Sequence, residues 1–222
     1  MRALMSFSIA LLLLTGCQNA RDFKRPDPNG LQLGDMTKQQ IVAVYGQPRQ
    51  QRTQVVGAPA AGTAAQPSKP AVSGTFTLYN YLYRNPGDVF LRGFQASEKV
   101  LVFEFFNDKL YAYNFVSDVD SDSSNFDESK VAALENGHST RDEVESLFGA
   151  PTGRAIFPAA PPGNEKLTYQ YVTNADMQIS IKRLDMLFDE QDILQNFNLD
   201  SRSAPMQTPA ATTVPIFIPT TR

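Results

Sequence analysis

The chain has 222 residues, with 23 acidic and 20 basic side chains, one His, one Cys and no Trp. A formal charge of −3 without a basic patch gives no sign of a nucleic-acid partner, one Cys excludes an intramolecular disulfide, and one His leaves no second imidazole for a metal cluster or proton shuttle. Hydrophobic content of 42%, with 15 Phe and 8 Tyr, suffices for packed cores in one large domain or two small ones.

Arg2 and the apolar run Ala3 to Leu14 form a basic n-region and a core too short to cross a bilayer of about 30 Å, so residues 1–16 read as a signal peptide. The run ends in Leu14-Thr15-Gly16-Cys17, which resembles the lipobox of bacterial lipoproteins. That resemblance implies acylation of Cys17, which also accounts for a sole thiol in an exported chain. Gln18 and Asn19 follow, and lipoproteins without Asp at the second position are usually sent to the outer membrane. The implied location is therefore the outer membrane, lipid-anchored on its periplasmic side. Residues 17–30, polar and broken by Pro26 and Pro28, read as a lipidated tether.

Gly34 to Pro48 recurs as Gly137 to Pro151, both ends shifted by 103 (137 − 34 and 151 − 48). Each copy spells a short helix. Thr37 with Gln40, and Thr140 with Glu143, have capping-box spacing. Ile41, Val44 and Tyr45, like Val144, Leu147 and Phe148, form an apolar stripe, and Gly46-x-Pro48 and Gly149-x-Pro151 stop the helix. Helices this short must dock on something, and the strands downstream are the candidates.

Residues 49–74 read as a flexible arm, with Gln54 to Val56 extended. Thr75–Arg84, Ser97–Phe106 and Lys109–Val116 alternate as three antiparallel strands. Ser117 to Ser129 is acidic and polar, and 118–124 reads as a linker. Asp118, Asp120 and Asp122 have the first spacings of a calcium loop, but Ser123 and Ser129 stand where its Gly and Glu belong. Asn125 to Asn136 reads as a first helix of the second copy. Downstream, Tyr169-Gln170-Tyr171 matches Tyr81-Leu82-Tyr83 at 88 (169 − 81), and Phe188 matches Phe106 at 82 (188 − 106). Residues 201–222 read as a disordered tail, within which Val214 to Pro219 could dock as a short peptide.

The helix pattern followed by three strands, with an aromatic-x-Tyr pair in the first, resembles the SmpA/OmlA, or BamE-like, outer-membrane lipoprotein domain, once in 31–117 and once in 125–200. A tandem pair is also similar to β-lactamase-inhibitor proteins, in which two repeats make one long sheet with a concave binding face. The resemblance implies an α+β fold of two tandem repeats, each with one or two short helices packed on a three-stranded antiparallel sheet. It further implies a non-catalytic interaction or scaffold module in outer-membrane assembly or integrity, held to the membrane by its lipid and bound to an envelope protein; the alternative is a protein inhibitor of a periplasmic or secreted enzyme. Copy one departs from the pattern in lacking a good first helix and in carrying the arm. Neither copy has the Trp often found in the strands.

No residue set has the spacing of a catalytic or metal site, and no cofactor is expected. His138 with Ser139 lies in a polar turn before a helix, where copy one has Asp35. The candidate protein-binding residues are Phe103, Phe105, Tyr111 and Tyr113. At the offset of 82 they align with Asp185, Leu187, Ile193 and Gln195, which would put Phe103 and Tyr113 on a solvent face. A buried position under the helix is the competing expectation, because strand aromatics are mostly interior.

Overall fold

The structure is a computed structural model that describes residues 22–57, 72–85, 97–122, 124–175 and 178–205. Cys17, the remainder of the arm, and residues 206–222, including Val214 to Pro219, lie outside the described residues. The helices are α1 (Lys38–Tyr45) and α2 (Arg141–Phe148). The strands are β1 (Gln50–Val56), β2 (Gly74–Asn85), β3 (Ser97–Phe106), β4 (Lys109–Ser117), β5 (Gly153–Ala155), β6 (Glu165–Ala175), β7 (Gln178–Phe188) and β8 (Leu194–Pro205).

Both helices carry the caps the sequence spells. Thr37 N–H donates to Gln40 Oε1 at 2.8 Å and Gln40 N–H returns to Thr37 Oγ1 at 3.4 Å; Thr140 and Glu143 do the same at 2.8 and 3.3 Å. Gly46 and Gly149 end the helices at φ +81° and +76°, where a Cβ would be strained. Each terminal glycine carbonyl then accepts a tyrosine hydroxyl from the sheet, Tyr81 at 2.9 Å and Tyr169 at 2.8 Å. Ile41 and Val144 are fully buried, which is how each helix docks, whereas Val44, the third member of its predicted stripe, is 62% exposed.

The expected pair of three-stranded sheets is not what forms. All eight strands make one antiparallel sheet in the order β1 to β8. Two strands escape the sequence pattern in whole or in part, since only Gln54 to Val56 of β1 reads as extended. β1 arises within the supposed arm, and its residues are nearly all exposed, so the edge strand has no buried face to imprint alternation on QQRTQVV. β5 is three residues long, too short for any periodicity. It nevertheless pairs with β4 through Ala112–Ala155 and Asn114–Gly153, and with β6 through Gly153–Thr168, so hydrogen bonding runs unbroken from one half to the other.

Three further expectations change. The helix expected over 125–136 is a 3-10 turn, Glu128–Ala133, that turns Val131 inward and is followed by buried Leu134. The acidic linker is packed: Ser117, Asp118 and Ser124 are buried, Asp118 Oδ1 accepts Glu98 N–H at 2.8 Å, and Asp122 accepts Ser117 Oγ at 2.6 Å and lies 3.5 Å from Lys99 Nζ. The start of the supposed tail, 201–205, completes β8.

The two larger apolar clusters lie on the helix side of the sheet. A third gathers Tyr111, Ala112 and Ala155, the two alanines being two residues from Asn114 and Gly153 and therefore on the other face. Under α1, Ile41, Tyr81, Leu101, Phe103 and Phe115 pack with Leu31. Beneath α2, Val144 meets Leu167, Tyr169, Leu184, Met186 and Phe188. The opposite face has no helix among the described residues.

Candidate interaction surface

Strand side chains alternate between faces, so pairing register places every residue of the open face. One row crosses all eight strands as Gln50–Asn80–Val102–Asn114–Gly153–Thr168–Asp185–Asn198. It is mostly polar. Asn114 Nδ2 donates to Gln170 Oε1 at 3.1 Å, Arg183 donates to Gln170 Oε1 and Asp185 Oδ2, and Thr168 Oγ1 donates to Asp185 Oδ1 at 2.6 Å. The carbonyl oxygens of the Asn80 and Asn114 side chains are buried with no hydrogen-bond partner among the described residues.

Aliphatic clusters flank this row. Leu82, Val100 and Val116 pair across β2 to β4, and Val172 pairs with Ile181 across β6 and β7; all five are half-buried. An antiparallel sheet with one side toward water usually turns polar residues outward, and these half-buried aliphatic side chains depart from that pattern. A cavity of about 530 Å³ opens near one end, between Arg52, Gln54, Phe76, Leu78, Glu104 and Tyr111.

Asp185 holds this network together electrostatically. Burial alone would raise its pKa, but hydrogen bonds from Arg183 and Thr168 and the charges of Arg183 and Lys166 outweigh it and hold the carboxyl below its ordinary value. A depressed folded-state pKa gives stability that is present above the unfolded value, about 4, and lost as pH falls through the folded one. Asp185→Asn should therefore flatten the decline of stability on acidification below about pH 4, read by urea unfolding at stepped pH. An unchanged acid slope would refute this role.

The four candidate aromatics are not exposed. Phe103 and Phe105 are fully buried, and Tyr113 and Tyr111 are 3% and 8% exposed. The alignment that suggested a solvent face is one residue out for Phe103 and two for Tyr113, which pairs with Phe103 as Phe197 pairs with Met186, while Gln195 lies unpaired at a register shift. Tyr79 pairs with Phe103 as Leu167 pairs with Met186, so Phe103 corresponds to Met186 at an offset of 83 (186 − 103), and its true counterpart is a core residue. Since strand periodicity is two, an error of one exchanges the faces. The misalignment lies in matching Phe188 to Phe106: Thr77 pairs with Phe105 as Glu165 pairs with Phe188, so the counterpart of Phe188 is Phe105. Tyr111 alone borders the open face: at the register shift after Glu104 its ring packs on Phe76 and its hydroxyl donates to Glu104 Oε2 at 2.5 Å.

His138 is exposed, with Nδ1 3.3 Å from the Asn136 carbonyl, and lines a cavity of about 620 Å³ with Leu134, Ser139, Asp142, Val144 and Leu147. On the helix side, Glu165 binds both Arg141 at 2.8 Å and Arg154 at 2.5 Å, and Arg141 also reaches Asp192 at 2.6 Å. The sequence offered no signal for this cluster, because its members come from separate elements.

No family model matches the chain. No curated protein matches it either. Among solved structures, the chain is similar to a crystal structure from Streptococcus mutans described as a "putative beta-lactamase inhibitor protein", at 12% identity and a TM-score of 0.42, covering 78% of this chain and 91% of that one. At that distance the likeness carries no functional argument.

Proposed function

We propose that this is a lipid-anchored envelope protein, acylated at Cys17, that works without catalysis by docking an envelope protein on the open face of its sheet, as an accessory or scaffold in outer-membrane assembly or integrity. Its kinship with BamE-like lipoproteins is part of the same proposal. The observation that carries the docking is the half-buried aliphatic side chains either side of a polar row, on a face no described helix covers. Such a mixture resembles a protein interface, apolar in patches and hydrogen-bonding between them, more than a solvated sheet. The lipobox supports the anchor, since two or more acyl chains hold a protein stably where one does not.

In cells, Cys17→Ala should abolish metabolic labelling with a fatty acid and release the protein from the outer-membrane fraction; retained labelling would refute the anchor. For the face, crosslinking in intact cells should trap an envelope protein with the unaltered chain and lose it with Val102→Asp, whose side chain lies in the central row. Recovery of no partner, or of the same partner with a folded Val102→Asp variant, would overturn the docking. Were the trapped protein a hydrolase inhibited one-to-one by a soluble form starting at Gln18, the face would act as an inhibitor surface.

A further inference from the structure

The segment expected to be a free tether is fastened from Asp22 onward. Asp22 Oδ1 lies 3.1 Å from Lys99 Nζ, a lysine only 8% exposed, and the Phe23 ring meets Phe115 edge-on at 6.4 Å. Arg25 donates to the Asp122 carbonyl at 3.3 Å and to the Ala150 carbonyl, Pro26 is buried, and the Pro28 carbonyl accepts Arg154 Nη1 at 2.7 Å. These partners come from β3, β4, β5 and the turn after α2, so the segment is strapped across both halves. Phe115 and Leu101 are cross-strand partners in the core under α1, and Arg154 is opposite Tyr113 of that core, which puts the strap on the helix side of the sheet.

Only four residues lie between Cys17 and Asp22, five steps of backbone (22 − 17). At no more than about 3.6 Å per step, these span at most about 18 Å. A free segment from Cys17 to Gly30 would reach about two and a half times as far and would let the body turn over on the membrane. We infer that the Asp22–Gly30 strap fixes the protein's orientation, holding the helix-bearing side toward the bilayer and presenting the open sheet face away from it. This rests on acylation of Cys17. Its consequence is that a partner approaches the open face from the periplasm, without competing with lipid for it.

The test uses the full chain, acylated in a Gram-negative host and reconstituted into phosphatidylethanolamine and phosphatidylglycerol vesicles. Since Cys17 is the sole native thiol, an introduced cysteine is the one free labelling site once the anchor is in place. A fluorophore at Gln39→Cys, exposed on α1, should be quenched several-fold more by headgroup-labelled lipid than one at Asn198→Cys, exposed in the open-face row. Releasing the strap with Phe23→Ala, or inserting a long Gly/Ser stretch after Asn19, should bring the two signals together. Equal quenching in the unaltered strap, or stronger quenching at Asn198→Cys, would overturn the orientation. Mass spectrometry showing an unmodified Cys17 would instead overturn the acylation, and the inference would fall with it.

Discussion

Phe103→Ala is expected to remove about 3–5 kcal/mol of folding stability, the range for truncating a large aromatic in a packed core. Phe103 has no exposed surface, and its ring lies 4.9 Å from Tyr45 of α1 and 5.9 Å from Tyr81 of β2. It therefore joins the helix to the sheet, in a stack that includes the tyrosine whose hydroxyl caps that helix. Tyr81 cannot collapse inward without breaking its bond to the Gly46 carbonyl, so much of the cavity should persist. Phe103→Leu, which keeps much of the volume, should cost markedly less. Equilibrium urea unfolding followed by circular dichroism would measure both. A loss below about 1 kcal/mol for Phe103→Ala, together with weakened partner binding, would restore the reading of Phe103 as a surface contact.

Gly153→Ala should cost about 1–3 kcal/mol, although it adds one methyl group. The glycine has an ordinary backbone conformation, so strain in φ is not the cause. Close approach is: a Cβ here would sit 2.7 Å from the Tyr113 carbonyl oxygen and 2.8 Å from Asn114 Oδ1. One obstacle is backbone of the neighbouring strand, so β4 and β5 must separate. β5 has only three residues with which to absorb the shift, and it is the join through which the two halves share one sheet. Hydrogen exchange should therefore quicken at amides around Asn114 and Ala155 while those beside Leu101 and Leu184 stay protected. Unchanged stability with unchanged exchange at the join would show that the halves do not depend on β5.

Elements readable from the sequence are those whose cause is local. A helix eight residues long announces itself through Thr37 and Gln40 at one end and Gly46 and Pro48 at the other, because each cap bonds within three or four residues. Ser97–Phe106 was legible to the residue, since burial of one face imprints strict alternation. The lipobox is likewise a contiguous pattern. From the sequence by itself come two capped helices, most of the strands, the 103-residue echo and the expectation of an anchor.

Tertiary structure alone decided how many sheets there are and which face each residue takes. β1 and β5 exist because neighbouring strands offer unpaired N–H and C=O groups, a requirement that falls on the partner and leaves no pattern in QQRTQVV or GRA. The fate of Phe103 turned on whether Phe105 or Phe106 is the counterpart of Phe188, where a shift of one residue exchanges core for solvent. Asp22, Phe23 and Arg25 read as a loose tether because what fastens them, Lys99, Phe115 and the Ala150 carbonyl, lies 77, 92 and 125 residues away (99 − 22, 115 − 23, 150 − 25). A cap is a bond to a near neighbour and shows in the sequence; a strap, an edge and a seam are bonds to distant ones, and only the folded chain brings those partners together.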